Sequence, residues 1–138
     1  MPRLQHKQRK GVPGGAGTGN KLRARLVPLE KLVAQQRHAE IVSTARELLK
    51  VLPAHPYVLK ALSFGLIGEA NHAAAIPVLQ QALRIAGGDP ELHNNLGICL
   101  SAELRWGEAI DSFDRALALN GTNPETWKNK GLAWCLNN

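Results

Sequence analysis

The side chains that most often perform catalysis or bind metals are scattered along this chain. The histidines and cysteines are His6, His38, His55, His72, His93, Cys99 and Cys135. A metal site needs several such ligands to converge, and these spacings match neither a metal-binding nor a redox motif. Glu108 and Asp111 lie three residues apart, as on the solvated face of a helix. We therefore expect no catalytic residues, no metal, no cofactor and no enzymatic activity.

A glycine-rich stretch, GVPGGAGTGN at residues 11–20, is the other candidate for chemistry. A phosphate-binding loop ends in Lys followed by Ser or Thr and connects a strand to a helix. This stretch has no such ending and no strand before it, so it has no predicted phosphate role.

Basic residues are concentrated at the beginning of the chain. Residues 1–25 contain seven Lys and Arg and no acidic residue, which gives this stretch a charge of +7. Because the whole chain has a net charge of +6, residues 26–138 carry a net charge of −1. Residues 1–21 are predicted to be a disordered, basic, Gly-rich tail, because they have little apolar surface to bury. Such an arm can bind nucleic acid or an anionic membrane, but no aromatic side chain is present to stack on bases. Nucleic-acid binding is therefore disfavoured, and a solvated leader is the preferred interpretation.

The elements that position the remaining residues repeat every 34 positions. Pro56, Pro90 and Pro124 are one period apart, and so are the hydrophobic residues Leu32, Leu66 and Leu100 and the larger side chains His38, His72 and Trp106. A fixed period of this length indicates a stacked array of helix pairs. The predicted units are residues 22–55, 56–89 and 90–123, with a partial unit at 124–138.

Local signals indicate where the helices begin. Proline is tolerated at the first position of a helix, so helices are predicted from Pro56, Pro90 and Pro124, with Asp89 and Asn123 as N-caps. The first helix is predicted from Leu22 or Pro28 to Gln36. Within each unit, we expect a small residue of the first helix to contact a small residue of the second: Gly97 with Ala109, and Ser63 with Ala75. The same positions in the first unit, Leu29 and Ile41, are both large and predict a wider separation there.

His93, Leu96, Gly97, Leu100, Ala109 and Phe113 follow the spacing of the tetratricopeptide repeat. From about residue 22 onwards the chain resembles that family, although His93 and Leu100 replace its usual aromatic residues. The resemblance implies an all-α, right-handed solenoid of antiparallel helix pairs. The amino-acid sequence of residues 37–62 and 89–97 is also similar to the repeat regions of bacterial proteins that resemble O-linked N-acetylglucosamine transferases.

The resemblance also implies where a ligand binds. In repeats that bind extended peptides, the first helices line a concave groove, and an asparagine at the position of Asn95 and Asn129 bonds to the peptide backbone. An amide both donates and accepts hydrogen bonds, which suits that task. The equal alternative is that these asparagines remain solvated without a ligand. The full set of predicted groove residues is Lys60, Phe64, Asn94, Asn95, Ile98, Lys128, Asn129 and Leu132, with the lysines expected to attract acidic groups.

We therefore predict a non-catalytic scaffold that binds a protein or peptide segment. The alternative is the N-terminal repeat region of a larger enzyme, most plausibly a glycosyltransferase, and the sequence that follows in the parent gene distinguishes the two. No apolar run is long enough to span a membrane, and the cysteine usage predicts a cytoplasmic location.

The last predicted helix carries Trp127, Leu132, Trp134 and Leu136 without a second helix to cover them. Exposed apolar surface of this size is unfavourable. The sequence allows two explanations: further helices belong to a longer natural protein, or two copies associate through this half-repeat. Both predict self-association or fraying of the isolated chain.

Overall fold

The computed structural model of the chain describes residues 16–138. Over this range it forms seven α-helices and no strands: α1 (Ala16–Ala34), α2 (His38–Val51), α3 (Pro56–Gly68), α4 (His72–Ile85), α5 (Pro90–Ala102), α6 (Trp106–Leu119) and α7 (Pro124–Asn137). Each helix packs mainly against the next one along the chain. The pairs α1–α2, α3–α4 and α5–α6 are units 1, 2 and 3, as the 34-residue period predicts.

The predicted helix starts at the proline positions are confirmed. Pro56, Pro90 and Pro124 each begin a helix. The Asp89 carboxylate accepts the backbone N–H of Glu91 at 2.9 Å, and the Asn123 side chain caps α7 in the same way. These caps satisfy backbone donors that have no partner inside the helix.

The first helix differs from its predicted bounds. It begins at Ala16 rather than at Leu22 or Pro28, ends at Ala34, and contains Pro28 in its interior. Residues 16–21 of the predicted disordered tail are thus helical, and the rest of that tail lies outside the described residues. Leu29 of α1 is fully buried, so packing against the array gives this helix tertiary support.

The atoms nearest to Gly97 belong to Phe113 rather than to the predicted partner Ala109. A Cβ atom placed on Gly97 would lie 2.5 Å from Cε1 of Phe113 and 2.7 Å from its Cδ1. Phe113 is one helical turn beyond Ala109 on α6, and its ring is almost completely buried. Gly97 therefore accommodates the aromatic ring of Phe113.

The same two positions in the other units show size compensation. They hold Gly97 and Phe113 in unit 3, Ser63 and Leu79 in unit 2, and Leu29 and Ala45 in unit 1. All six residues are buried. Where the first helix carries a larger side chain, the second helix carries a smaller one. Unit 1 therefore reverses the sizes, and its two helices approach each other less extensively than those of units 2 and 3, as the sequence predicted.

Two residues before the second helix of each unit, the backbone adopts a left-handed conformation. Gln36, Ala70 and Leu104 have φ angles of 53°, 56° and 60° and are 34 residues apart. None is glycine, although this region of backbone space is unfavourable for residues with a Cβ atom. The repeat therefore retains the same tight turn between helices in all three units.

Candidate functional site: a groove along the first helices

Two recesses lie along the first helices of the units. The first recess is formed by α1, α3 and α5 and is lined by Val33, Tyr57, Lys60, Ala61, Phe64, Glu91 and Asn95. The second lies between α5, α6 and α7 and is lined by Ile98, Ser101, Trp106, Phe113, Asn129, Leu132 and Ala133. Each has a volume of about 160 Å³. We call them recess 1 and recess 2.

Six of the eight predicted groove residues line these recesses. Lys60, Phe64 and Asn95 line recess 1, and Ile98, Asn129 and Leu132 line recess 2. The two asparagines are one period apart, so each recess has one amide at its wall. The structure thus brings together a mostly apolar surface with a hydrogen-bonding group at a regular interval.

Asn94 and Lys128 line neither recess. Asn94 is half-buried, and its Oδ1 atom has no hydrogen-bond partner among the described residues. Lys128 is exposed on α7, and within residues 16–138 no carboxylate lies at ion-pair distance from it. Of the two predicted lysines, Lys128 is therefore the one whose charge faces solvent unpaired in this part of the chain.

Lys60 requires a correction of its expected role. Its Nζ atom lies 2.8 Å from Asp89 Oδ2 and 2.6 Å from Glu91 Oε2. Burial acts to lower the pKa of Lys60, but the hydrogen bonds and charges of these carboxylates outweigh it and raise that pKa. One cation between two anions leaves a local charge of −1. Lys60 therefore ties α3 to the beginning of α5 and does not offer a free cation to an acidic ligand.

Tyr57 and Glu91 are groove residues that the sequence analysis missed. They stand one period apart, and both line recess 1. Burial, together with the nearby Glu30 carboxylate, raises the pKa of Tyr57, so its hydroxyl stays protonated. The same 34-residue ladder that selected Asn95 and Asn129 would have identified this column, because it lies on the same face one turn earlier.

His38 packs against an aromatic side chain of the next unit. Its ring lies 5.2 Å from the ring of Phe64, at a tilted angle. A Cβ atom on Gly68 would overlap the His38 ring, so glycine is needed at that position. Among the described residues, no group of three His, Cys, Asp or Glu side chains is arranged to hold a metal ion.

His93 and Trp127 make equivalent hydrogen bonds. His93 Nε2 lies 2.9 Å from the carbonyl oxygen of Gly87, and Trp127 Nε1 donates to the carbonyl oxygen of Gly121 at 2.8 Å. Because a carbonyl only accepts, the imidazole must carry its proton on Nε2. His93 thus replaces the tryptophan of this column in both shape and hydrogen bonding.

The family model for the tetratricopeptide repeat matches residues 66–127. The match covers slightly less than half of the chain. No curated protein sequence matches the chain. Within the described residues, no helix is both long and apolar enough to cross a membrane.

Solved tetratricopeptide repeat structures share the fold. MamA (residues 41 to the end) from Desulfovibrio magneticus RS-1 superimposes with a TM-score of 0.77 at 17% identity, covering 82% of this chain and 64% of the MamA chain. The first repeat domain of human RPAP3 superimposes with a TM-score of 0.73 at 15% identity, covering 82% of this chain and 89% of the RPAP3 chain. The first repeat domain of Spaghetti (RPAP3), bound to the HSP90 peptide SRMEEVD, superimposes with a TM-score of 0.76 at 16% identity. This similarity covers 83% of this chain and 92% of the Spaghetti chain. These similarities establish an all-α solenoid of tetratricopeptide repeats.

Proposed function

We propose that this chain is a non-catalytic scaffold that binds an extended peptide segment of a partner protein along the first helices. The observation that carries the proposal is the pair of recesses, each with an asparagine one period from the other. The similarity to a repeat domain bound to an HSP90 peptide supports the same class of function. The side-chain amides of Asn95 and Asn129 can hydrogen-bond to a peptide backbone whatever side chains the peptide carries.

The recesses indicate which side chains the peptide carries. An apolar cavity of ~150 Å³ is large enough to hold benzene, and each recess here has a similar volume. Each therefore fits one apolar side chain of the peptide. The paired Lys60 leaves recess 1 without a free positive charge, whereas Lys128 remains exposed on α7 beside Asn129. We expect apolar residues at both recesses, and any acidic group of the ligand near Lys128 only.

The experiment begins with selection of a peptide from a displayed random library on the full chain. The selected peptide is then titrated calorimetrically against the Asn95→Ala/Asn129→Ala double variant. Each hydrogen bond to an amide contributes ~0.5–1.5 kcal/mol, so we expect affinity to fall by roughly fivefold to more than a hundredfold. Circular dichroism checks that the fold is intact.

The matched control changes the outer surface instead. Gln80 and Arg115 are exposed on the second helices α4 and α6, so the Gln80→Ala/Arg115→Ala variant should bind the peptide like the unmodified chain. Full affinity in the asparagine variant, or loss of affinity in the outer-surface variant, would place the binding site outside the groove.

A further inference from the structure

Recess 1 carries a carboxylate that is only partly used within the chain. Lys60 Nζ lies 2.8 Å from Asp89 Oδ2 and 2.6 Å from Glu91 Oε2. The other oxygen of Asp89 accepts the backbone N–H of Glu91 at the start of α5. The Glu91 side chain is 59% exposed and lines the recess. Because a carboxylate offers about four acceptor sites, Glu91 can bind a donor of the ligand without releasing Lys60.

A second acidic side chain approaches recess 1 from the first helix. Glu30 lies three residues before Val33, which lines the recess, so both side chains lie on the same side of α1. Burial and, after it, the charge of Glu30 raise the pKa of Tyr57, so this carboxylate is close enough to act on a lining residue. Glu30 is exposed, and within residues 16–138 no cation lies at ion-pair distance from it.

The basic residues nearby do not neutralise this charge. Three carboxylates and one ammonium stand around recess 1, which leaves a net charge of −2. Of the helices that line the recess, α5 contains no lysine or arginine. On α1, Lys31 is exposed about 100° around the helix from Glu30, and Arg23 lies on the same side as Glu30 but roughly 10 Å away along the axis. At that distance salt screens most of the attraction between exposed charges.

The neutral walls of recess 1 suit a cationic side chain as well. Tyr57 and Phe64 supply aromatic rings, and the face of such a ring attracts an ammonium or guanidinium group. The amide oxygen of Asn95 can accept an N–H. The methylene stem of a lysine or arginine can lie along Val33 and Ala61 while its charged end remains in water beside the carboxylates.

We propose that recess 1 selects a peptide that carries an arginine or lysine beside the apolar side chain entering the recess, and that Glu91 and Glu30 determine this preference. The inference rests on the proposed function, because it concerns the ligand of the same groove. Lys128 is exposed on α7 at the other end of the groove. The two ends therefore have opposite charge, and a peptide with a basic and an acidic residue binds in one direction only.

The opposite preference is disfavoured by the ion pairs already present. An acidic ligand residue could bind Lys60 only after the ammonium leaves both Asp89 and Glu91. That exchange would place three carboxylates around one ammonium. A basic residue adds the missing positive charge and leaves both ion pairs in place.

The first experiment selects peptides from one displayed random library on two proteins in parallel. One protein is the full chain, and the other is its Glu30→Gln/Glu91→Gln variant, which loses two negative charges with little change in shape. We expect arginine or lysine to be enriched next to an apolar residue on the full chain and not on the variant. Circular dichroism checks the fold, and the single Glu30→Gln variant breaks no ion pair among the described residues.

The second experiment measures the charge effect on one selected peptide by calorimetry. Replacing its basic residue by methionine keeps an unbranched stem and removes the charge. This change should weaken binding to the full chain by roughly threefold or more, and less so at high salt. The same change should alter binding to the Glu30→Gln/Glu91→Gln variant by less than about twofold. Asp111→Asn is the matched control, because it removes a charge that is exposed on the outer helix α6, and it should retain the full effect.

Three results would contradict the inference, and they differ in what they leave standing. If the asparagine variant binds weakly but methionine replacement acts equally on the full chain and the charge variant, the groove is the site and the charge preference is wrong. Enrichment of acidic residues that depends on Lys60 would show that the ligand displaces its ion pairs. Full affinity of the Asn95→Ala/Asn129→Ala variant, or a library that yields no binder, would overturn the proposed function and this inference with it.

Discussion

Replacing Gly97 with alanine tests the contact that defines unit 3. The new Cβ atom would lie 2.5 Å from the Phe113 ring, whereas ordinary contacts begin at 3.4 Å. The ring must therefore retreat by about 0.9 Å from its position at 2.5 Å, and it is only 1% exposed. Because a buried ring has little room to move, we expect the substitution to strain the α5–α6 interface.

The expected magnitude follows from two opposing effects. Overpacking a well-packed core costs ~1–3 kcal/mol, and replacing a helical glycine by alanine returns ~1 kcal/mol. Gly97→Ala should therefore lower the free energy of unfolding by up to ~2 kcal/mol. Gly131→Ala is the matched control, because it is the same change one period later with nothing within 4 Å. It should raise the free energy of unfolding by ~0.5–1 kcal/mol.

A second substitution should rescue the first. Phe113→Leu alone leaves a cavity and should cost ~1–2 kcal/mol. In the Gly97→Ala/Phe113→Leu variant the smaller side chain leaves space for the new methyl group, as the serine and leucine of unit 2 suggest. We expect the double variant to be at least ~1 kcal/mol more stable than the sum of the single effects predicts.

Urea unfolding followed by circular dichroism measures these differences. Repeat arrays can unfold in more than one step, so the comparison uses midpoints of transitions with equal slopes. Additive effects of the two substitutions, within ~0.5 kcal/mol, would show that Gly97 and Phe113 do not interact. Equal effects of alanine at Gly97 and Gly131 would contradict the packing argument directly.

Three further predictions concern other parts of the chain. Leu104 has φ 60° and is 71% exposed, so Leu104→Gly should raise the melting temperature by relieving ~1–2 kcal/mol of backbone strain, whereas Leu104→Ala should not. Burial acts to raise the pKa of Asp89, but the hydrogen bond and charge of Lys60 outweigh it and lower that pKa. The resulting stabilisation is present above the unfolded pKa of ~3.9 and is lost as the pH falls through the folded pKa. In Asp89→Asn, the free energy of unfolding should therefore vary less with pH below about 4, as measured by unfolding curves. Burial and, to a smaller extent, the charge of Glu103 raise the pKa of the Cys99 thiol to about 11, whereas Cys135 is exposed. A thiol reagent at neutral pH should therefore modify Cys135 in the native chain and Cys99 only after unfolding.

The 34-residue period predicted most of the fold because it records which positions share an environment. It located the second helices and the starts at Pro56, Pro90 and Pro124, and the caps Asp89 and Asn123 followed from local chemistry. The period does not state which column of one helix faces which column of its partner. Ala109 and Phe113 are one turn apart on the same face of α6, so only the coordinates identify Phe113 as the residue over Gly97.

The groove shows the same limit. The repeat columns located Asn95 and Asn129 in the two recesses, but the pairing of Lys60 crosses from α3 to the residues around the start of α5. Asp89 was predicted only as a cap of α5, and Glu91 was assigned no role, because neighbouring residues in the sequence do not indicate a partner on another helix. The beginning of α1 was also missed, since the glycines at residues 17 and 19 argue locally against a helix.

The size compensation within units has a consequence for how such a chain can grow. Both members of each matched pair, such as Gly97 and Phe113, belong to the same 34-residue unit. Duplication or recombination with break points between units therefore carries the matched pair intact. A break point between the two helices of a unit would instead join Leu29 to Phe113, which overfills the interface, or Gly97 to Ala45, which leaves it empty. The boundaries at Pro56, Pro90 and Pro124 are thus the places where this gene can be lengthened or rearranged without separating these matched pairs.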